Sequence, residues 1–189
     1  MNQIIKNTII LFVITLVAGI CLGTVHDITL DPIAQAQEAA ATKTYQEVYP
    51  DAASFDEPQE LADAVTAAAD SISEWGFGKV TINDAKEALD ASGNQIGYLI
   101  TSTSAESYGG NVQIAVGISN EGELTGIGFL SISDTPGLGM RAKEPDFKDQ
   151  FIGKKAENLE VTKTGASADN QIQAISGATI TSKAVTNAT

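Results

Sequence analysis

Ser176-Gly177-Ala178-Thr179 sets a hydroxyl beside residues with almost no side chain, where the sequence passes from a loop into a helix-like segment. Free N–H groups and the positive end of a helix dipole at such a start accommodate a phosphate. Gly177 lets a bulky group come close to the backbone. No His or Cys stands nearby in sequence to activate Thr179, so Thr179 reads as the acceptor of a transferred group and not as a nucleophilic catalyst. Two further stretches depart from ordinary core. Ser107-Tyr108-Gly109-Gly110 is a loop between strands, and in Asp134-Thr135-Pro136-Gly137-Leu138-Gly139 two glycines flank a leucine. Singly, each has a plain explanation: Gly-Gly and Pro-Gly are turn chemistry, and Ser/Thr before a helix are caps. Their order along one chain says more than any one of them.

The rest of the composition leaves little else to do chemistry. Among 189 residues, 24 are acidic and 11 basic, a net charge of −13, which argues against a nucleic-acid partner. One Cys and one His exclude a disulfide within the chain and all but exclude a Cys/His zinc site, so no metal is expected. A Ser-His-Asp hydrolase would have to use His26, beside an apolar segment. No catalytic side chain is assigned, and a cofactor is the natural expectation.

That apolar segment runs from Asn7 to Val25 without a single charge. At about 1.5 Å per residue, 19 residues span roughly 28 Å, close to the hydrocarbon thickness of a bilayer. Lys6 precedes it, while Asp27, Asp31 and Glu38 follow, so the N-terminus is expected in the cytoplasm and the remainder outside. The Ala34-Gln35-Ala36 triplet lies too far beyond the apolar run for a signal-peptidase site, which favours a permanent single-pass anchor. Cys21 reads as a lipid-facing residue and His26 as a solvated residue at the interface. The expected organisation is an anchor at 1–26, an acidic helical linker at 27–57 and a domain at 58–189.

Positioning the three loops falls to that domain. Leu61, Val65, Ala68, Ile72 and Trp75 at helical spacing predict an amphipathic helix over 58–73, ended by Gly76 and Gly78. Lys79–Asp90 is ambiguous between helix and strand. A strand follows at Gln95–Ser102, then a hairpin whose arms are Val112–Ile118 and Leu124–Ile132. Gly126 and Gly128 inside the second arm point to a bulge or to close approach by something. A short helix at Phe147–Phe151, a strand at Asn158–Lys163 and a helix from Thr179 complete an α+β fold around an antiparallel sheet. The cluster of Arg141, Lys143 and Lys148 reads as a solvated face.

QAISGATITSKAV resembles the flavinylation motif of the covalent FMN-binding domain family. The whole series (an N-terminal anchor, SYGG, DTPGLG, EPDFKDQF, SGATITS) is similar to the G-subunit family of Rnf electron-transport complexes. The resemblance implies FMN esterified through its phosphate to Thr179 by a separate flavin transferase. It further implies that Ser176, Gly177 and Ala178 flank the phosphate, and that Thr135, Pro136, Gly137, Leu138 and Gly139 lie near the isoalloxazine. Tyr108 and Thr181 complete the implied cofactor-binding set. Gln173 stands where that family often has an acid, and Asp134 where it more often has Glu. The implied role is an electron carrier without turnover of its own in a membrane-bound, ion-translocating ferredoxin:NAD oxidoreductase, with the other membrane subunits as partners. A covalent-FMN subunit of a Na⁺-pumping quinone reductase, a stand-alone extracellular flavin shuttle and a non-redox anchored scaffold are the alternatives.

Overall fold

In the computed structural model, which describes residues 2–72 and 74–189, the first element is a single helix, α1, Asn2–Val48. Its apolar side chains from Ile4 to Ile33 are exposed, so no protein core accounts for them. Among the described residues it is the one helix long and apolar enough to cross a membrane. Thr8, Thr15, Thr24 and Thr29 donate their hydroxyls to carbonyls one turn back, which satisfies each polar group within the helix itself. The chain divides into two compact units, 1–41 and 42–189. The helix therefore continues through most of the stretch expected as a linker.

Within the second unit, a five-stranded antiparallel meander carries the fold: β1 Ser54–Asp56, β2 Val80–Leu89, β3 Gln95–Ser107, β4 Gly110–Ser119 and β5 Leu124–Ile132, neighbours in that order. Helix α2, Gln59–Ile72, joins β1 to β2. The ambiguous stretch is strand: Val80–Leu89 pairs with β3 from Val80↔Ser104 to Leu89↔Gln95, and that pairing overrides the helical preference of Ala-Lys-Glu-Ala-Leu. Trp75 does not continue the α2 stripe. The helix ends before it, and Trp75 sits in a turn, 57% exposed.

After β5 come a 3-10 turn at Gly139–Lys143, a short helix α3 at Pro145–Lys148 and a second 3-10 turn at Asp149–Phe151. Two three-residue strands, β6 Glu160–Thr162 and β7 Gln171–Gln173, pair in parallel before helix α4, Thr179–Ala188. β1 and β7 are too short to display an alternation that a sequence reading can catch. The larger core packs Ile114, Val116 and Ile127 of the sheet with Phe147, Phe151, Ile172 and Val185. Aromatic edges meet there, Phe147 and Phe151 lying 5.6 Å apart between ring centres.

A second, smaller cluster joins Leu99 and Ala115 to Val48, in the last turn of α1. The glycines of β4 and β5 explain how this helix end comes so near. A side-chain carbon at Gly128 would lie 2.6 Å from Val48 Cγ2 and would also run into Thr44; one at Gly117 would lie 3.0 Å from Val48 Cγ1. The close approach expected at Gly126 and Gly128 is thus made by the end of α1, not by a ligand. Thr125 Oγ1 donates to the Val48 carbonyl at 2.8 Å, and Tyr49 Oη to the Ile96 carbonyl at 2.7 Å. Burial, then the charges of Asp51 and Glu121, push the Tyr49 phenol above its usual range.

Candidate functional site

The three singled-out loops converge on one buried carboxylate. Asp134, 8% exposed, follows β5. Its Oδ2 accepts hydrogen bonds from Thr181 Oγ1 at 2.7 Å and Ser107 Oγ at 2.8 Å, and its Oδ1 from the Thr135 N–H at 2.7 Å. The Gly109 N–H approaches Oδ2 at 3.4 Å. Burial pushes this carboxyl up, but the donors of Thr181, Ser107, Thr135 and Gly109 together outweigh burial and hold it below the ordinary carboxylate value. The glycines around it make the room. A side-chain carbon at Gly139 would lie 2.5 Å from Asp134 Oδ2, and one at Gly109 2.7 Å from Asp134 Cα.

The Ser176–Thr179 turn is built with similar economy. Gly177 has φ +80°, a left-handed conformation that glycine adopts without strain. Ser182 Oγ donates to the Ala178 carbonyl at 2.9 Å and accepts from the Ile175 N–H at 3.0 Å, so a side chain one turn into α4 fixes the loop before it. Ala178 supplies no side-chain cap. The N–H groups of Thr179, Ile180 and Thr181, and the Thr179 hydroxyl, have no hydrogen-bond partner among the described residues. Thr179 is half-buried.

Between the loops lies a cleft of about 510 Å³. Of the predicted residues, Tyr108, Thr135, Leu138, Gly139, Gly177, Ala178, Thr179 and Thr181 line it, while Ser176, Pro136 and Gly137 do not. Tyr108, Leu138 and Ile180 are 72%, 44% and 55% exposed, an unusual grouping of large apolar side chains around one opening. Two of these residues also serve the carboxylate. Gly139 makes room for Asp134, and Thr181 is fully buried with its hydroxyl already engaged. Asp134, Ser107, Ile180 and Ser182 were not in the predicted set. Nothing in sequence joins Ser107 to Thr181; only the sheet brings them to one carboxylate. A smaller crevice of about 230 Å³, bordered by Trp75, Leu159 and Thr186, contains none of the predicted residues. No acidic, His or Cys cluster suited to a metal occurs among the described residues.

Residues 107–189, which hold all three loops, match the family described as FMN-binding domain, and residues 1–48, through the end of α1, match the RnfG N-terminal region. The G subunit of the Na⁺-translocating ferredoxin:NAD⁺ oxidoreductase complex of Acetobacterium woodii is 37% identical, over 97% of this chain and 87% of its own. This chain belongs to the Rnf G-subunit family. The G subunit of the proton-translocating ferredoxin:NAD⁺ oxidoreductase complex of Clostridium ljungdahlii is 30% identical over 98% of this chain and 87% of its own. The G subunit of the ion-translocating oxidoreductase complex of Methanosarcina acetivorans is 31% identical over 99% and 91%. As a member, the chain is an FMN-binding, membrane-associated redox subunit. The cleft suits that cofactor: N–H donors without partners among the described residues at the start of α4 for a phosphate, and an apolar mouth for a flat ring system.

Proposed function

We propose that the chain carries electrons within a membrane-bound, ion-translocating ferredoxin:NAD oxidoreductase through an FMN esterified by its phosphate to Thr179. The supporting observation is the first turn of α4. Thr179 lines the cleft with a free hydroxyl, next to three N–H groups without partners among the described residues, while Thr181 and Ser182 are buried and engaged. Ser176 is exposed and lies outside the cleft.

Attachment forms a bond between Thr179 Oγ1 and the flavin-side phosphorus and releases the hydroxyl proton. The bond broken is the one to that phosphorus's leaving group. A flavin dinucleotide donor satisfies this balance by leaving AMP, whereas FMN alone would have to expel hydroxide. A separate flavin transferase supplies the base, since no His or Cys stands near Thr179 in sequence. The first-turn N–H groups would hold the phosphodiester, and Tyr108, Leu138 and Ile180 at the mouth would shield the ring from water.

When bound, FMN supplies one- and two-electron transfer, and the ester prevents its loss where no free FMN pool can be relied on. Lys6 before the apolar run and the acids after it favour a cytoplasmic N-terminus and a flavin domain on the other side, with α1 as a permanent anchor. The other subunits of the complex and the transferase are the partners.

In-gel flavin fluorescence after full denaturation tests the reading, comparing wild type with Thr179→Val, each co-produced with a flavin transferase. A fluorescent wild-type band that vanishes in the variant is expected. Two dark bands beside an active transferase would leave an anchored protein without covalent flavin.

A further inference from the structure

The cleft accounts for Thr179 but leaves open why a buried carboxylate lies beneath it. Three chain segments meet at Asp134: the β3 end at Ser107, the loop at Thr135 and the first turn of α4 at Thr181. Gly139 leaves the space that the carboxylate fills, and Gly109 leaves room for the Ser133–Asp134 backbone that carries it. Thr181 follows Thr179 by two residues, about 200° around a helix. Fixing the Thr181 hydroxyl on Asp134 therefore fixes the rotation of the first turn and the direction of the Thr179 hydroxyl. Ala178 gives no cap, and the Ser182 hydroxyl ties the turn only to the loop just before it, at Ile175 and Ala178; the Thr181 bond ties it to a distant segment.

We propose that Asp134 is the positioning residue of this site: its carboxylate, gripped by Thr181 and Ser107, sets the first turn of α4 in the one rotation that presents Thr179 for esterification. Asp134 touches neither the reacting oxygen nor the phosphorus and acts through Thr181. The inference rests on the attachment reading above and adds a residue outside the motif that accepts the flavin. Glu106 and Tyr108 beside Ser107, Arg141 and Lys143 on the 3-10 turn, and Lys183 on α4 are the charged and titratable groups on the surrounding elements. None of them enters into the shift of Asp134, which comes from burial and hydrogen bonds alone.

The test uses the full chain in detergent, produced without transferase and then exposed to purified transferase and flavin dinucleotide. The rate of flavin attachment is followed in wild type, Asp134→Asn, Thr181→Val and Thr181→Ser. Losing a hydrogen bond to a charged group is worth on the order of tenfold or more, so Thr181→Val and Asp134→Asn slow attachment by about that factor. Thr181→Ser restores most of the rate lost in Thr181→Val. Thermal unfolding of the flavin-free chains supplies the second readout. The difference in stability between wild type and Asp134→Asn should shrink as acid protonates the carboxylate, which loss of packing alone would not produce. If Asp134→Asn fails to fold, the shape-conserving Thr181→Val carries the test. Attachment rates within twofold of wild type in folded Thr181→Val overturn the proposal. If wild type accepts no flavin, the attachment reading falls, and amide exchange across residues 176–182 of the flavin-free chain still decides. It must quicken in Thr181→Val, and unchanged exchange overturns the positioning role.

Discussion

Glycines are used in two regions of this domain for opposite ends. Along β4 and β5, Gly117, Gly126 and Gly128 leave room for Val48 and Thr44, so an apolar helix end sits directly on the sheet. Around the loops, Gly139 leaves room for the Asp134 carboxylate and Gly109 for the backbone that carries it. The helix seat is held by packing, with Thr125 and Tyr49 adding hydrogen bonds to backbone carbonyls. The clasp at Asp134 is held by oriented donors around a charge. The lesson is that a glycine inside a motif does not by itself mark where a ligand approaches; it marks where something large passes.

The two regions should therefore fail differently. The largest effect is expected at the seat. Gly128→Val would overpack two β-branched side chains and cost about 2–3 kcal/mol in denaturant unfolding of the full chain in detergent. Close behind is Gly139→Ala, whose new methyl meets the Asp134 carboxylate. A cost of about 1–3 kcal/mol is expected, with flavin attachment lost as well, whereas a folded Gly128→Val should keep attachment. A folded Gly128→Val that takes no flavin would erase the distinction between the regions.

Acid and alkali separate the regions further. Asp134 is held below the unfolded carboxylate value, so its contribution is complete above roughly pH 4 and is lost as pH falls through the lower folded value. Tyr49 is raised, so its contribution is complete below about pH 10 and is lost as pH rises through the higher folded value. Tyr49→Phe removes one hydrogen bond, about 1 kcal/mol, and should flatten only the alkaline limb of a stability–pH curve. Arg141→Ala is the smallest change: its pair with Glu144 is exposed, and within about 0.5 kcal/mol no shift in unfolding midpoint is expected.

Much of this was legible in the residues. Alternation from Val112 to Ile118 and the turn at Asn120–Glu123 gave away the β4–β5 hairpin, because one face of each strand is buried. Small residues and hydroxyls before α4 singled out that stretch, and most of the predicted residues do line the cleft. Three things were hidden. Within Lys79–Asp90, Val80–Leu89 is strand because β3 pairs with it, a fact absent from its own propensities. Gly128 suggested close approach, but a sequence cannot say that the visitor is Val48. Asp134 sat in plain view within its motif and went unassigned, since its partners lie 27 and 47 residues away.

The most direct measurement is peptide mapping by mass spectrometry of the chain co-produced with a flavin transferase. Trypsin releases Thr164–Lys183 as one peptide carrying Ser176, Thr179, Thr181 and Ser182 together. The account predicts one FMN phosphoester, on Thr179 alone, because Thr181 and Ser182 are buried and engaged and Ser176 is outside the cleft. Flavin on any other hydroxyl of the peptide, Thr164 and Ser167 included, or an unmodified peptide beside an active transferase, would contradict it.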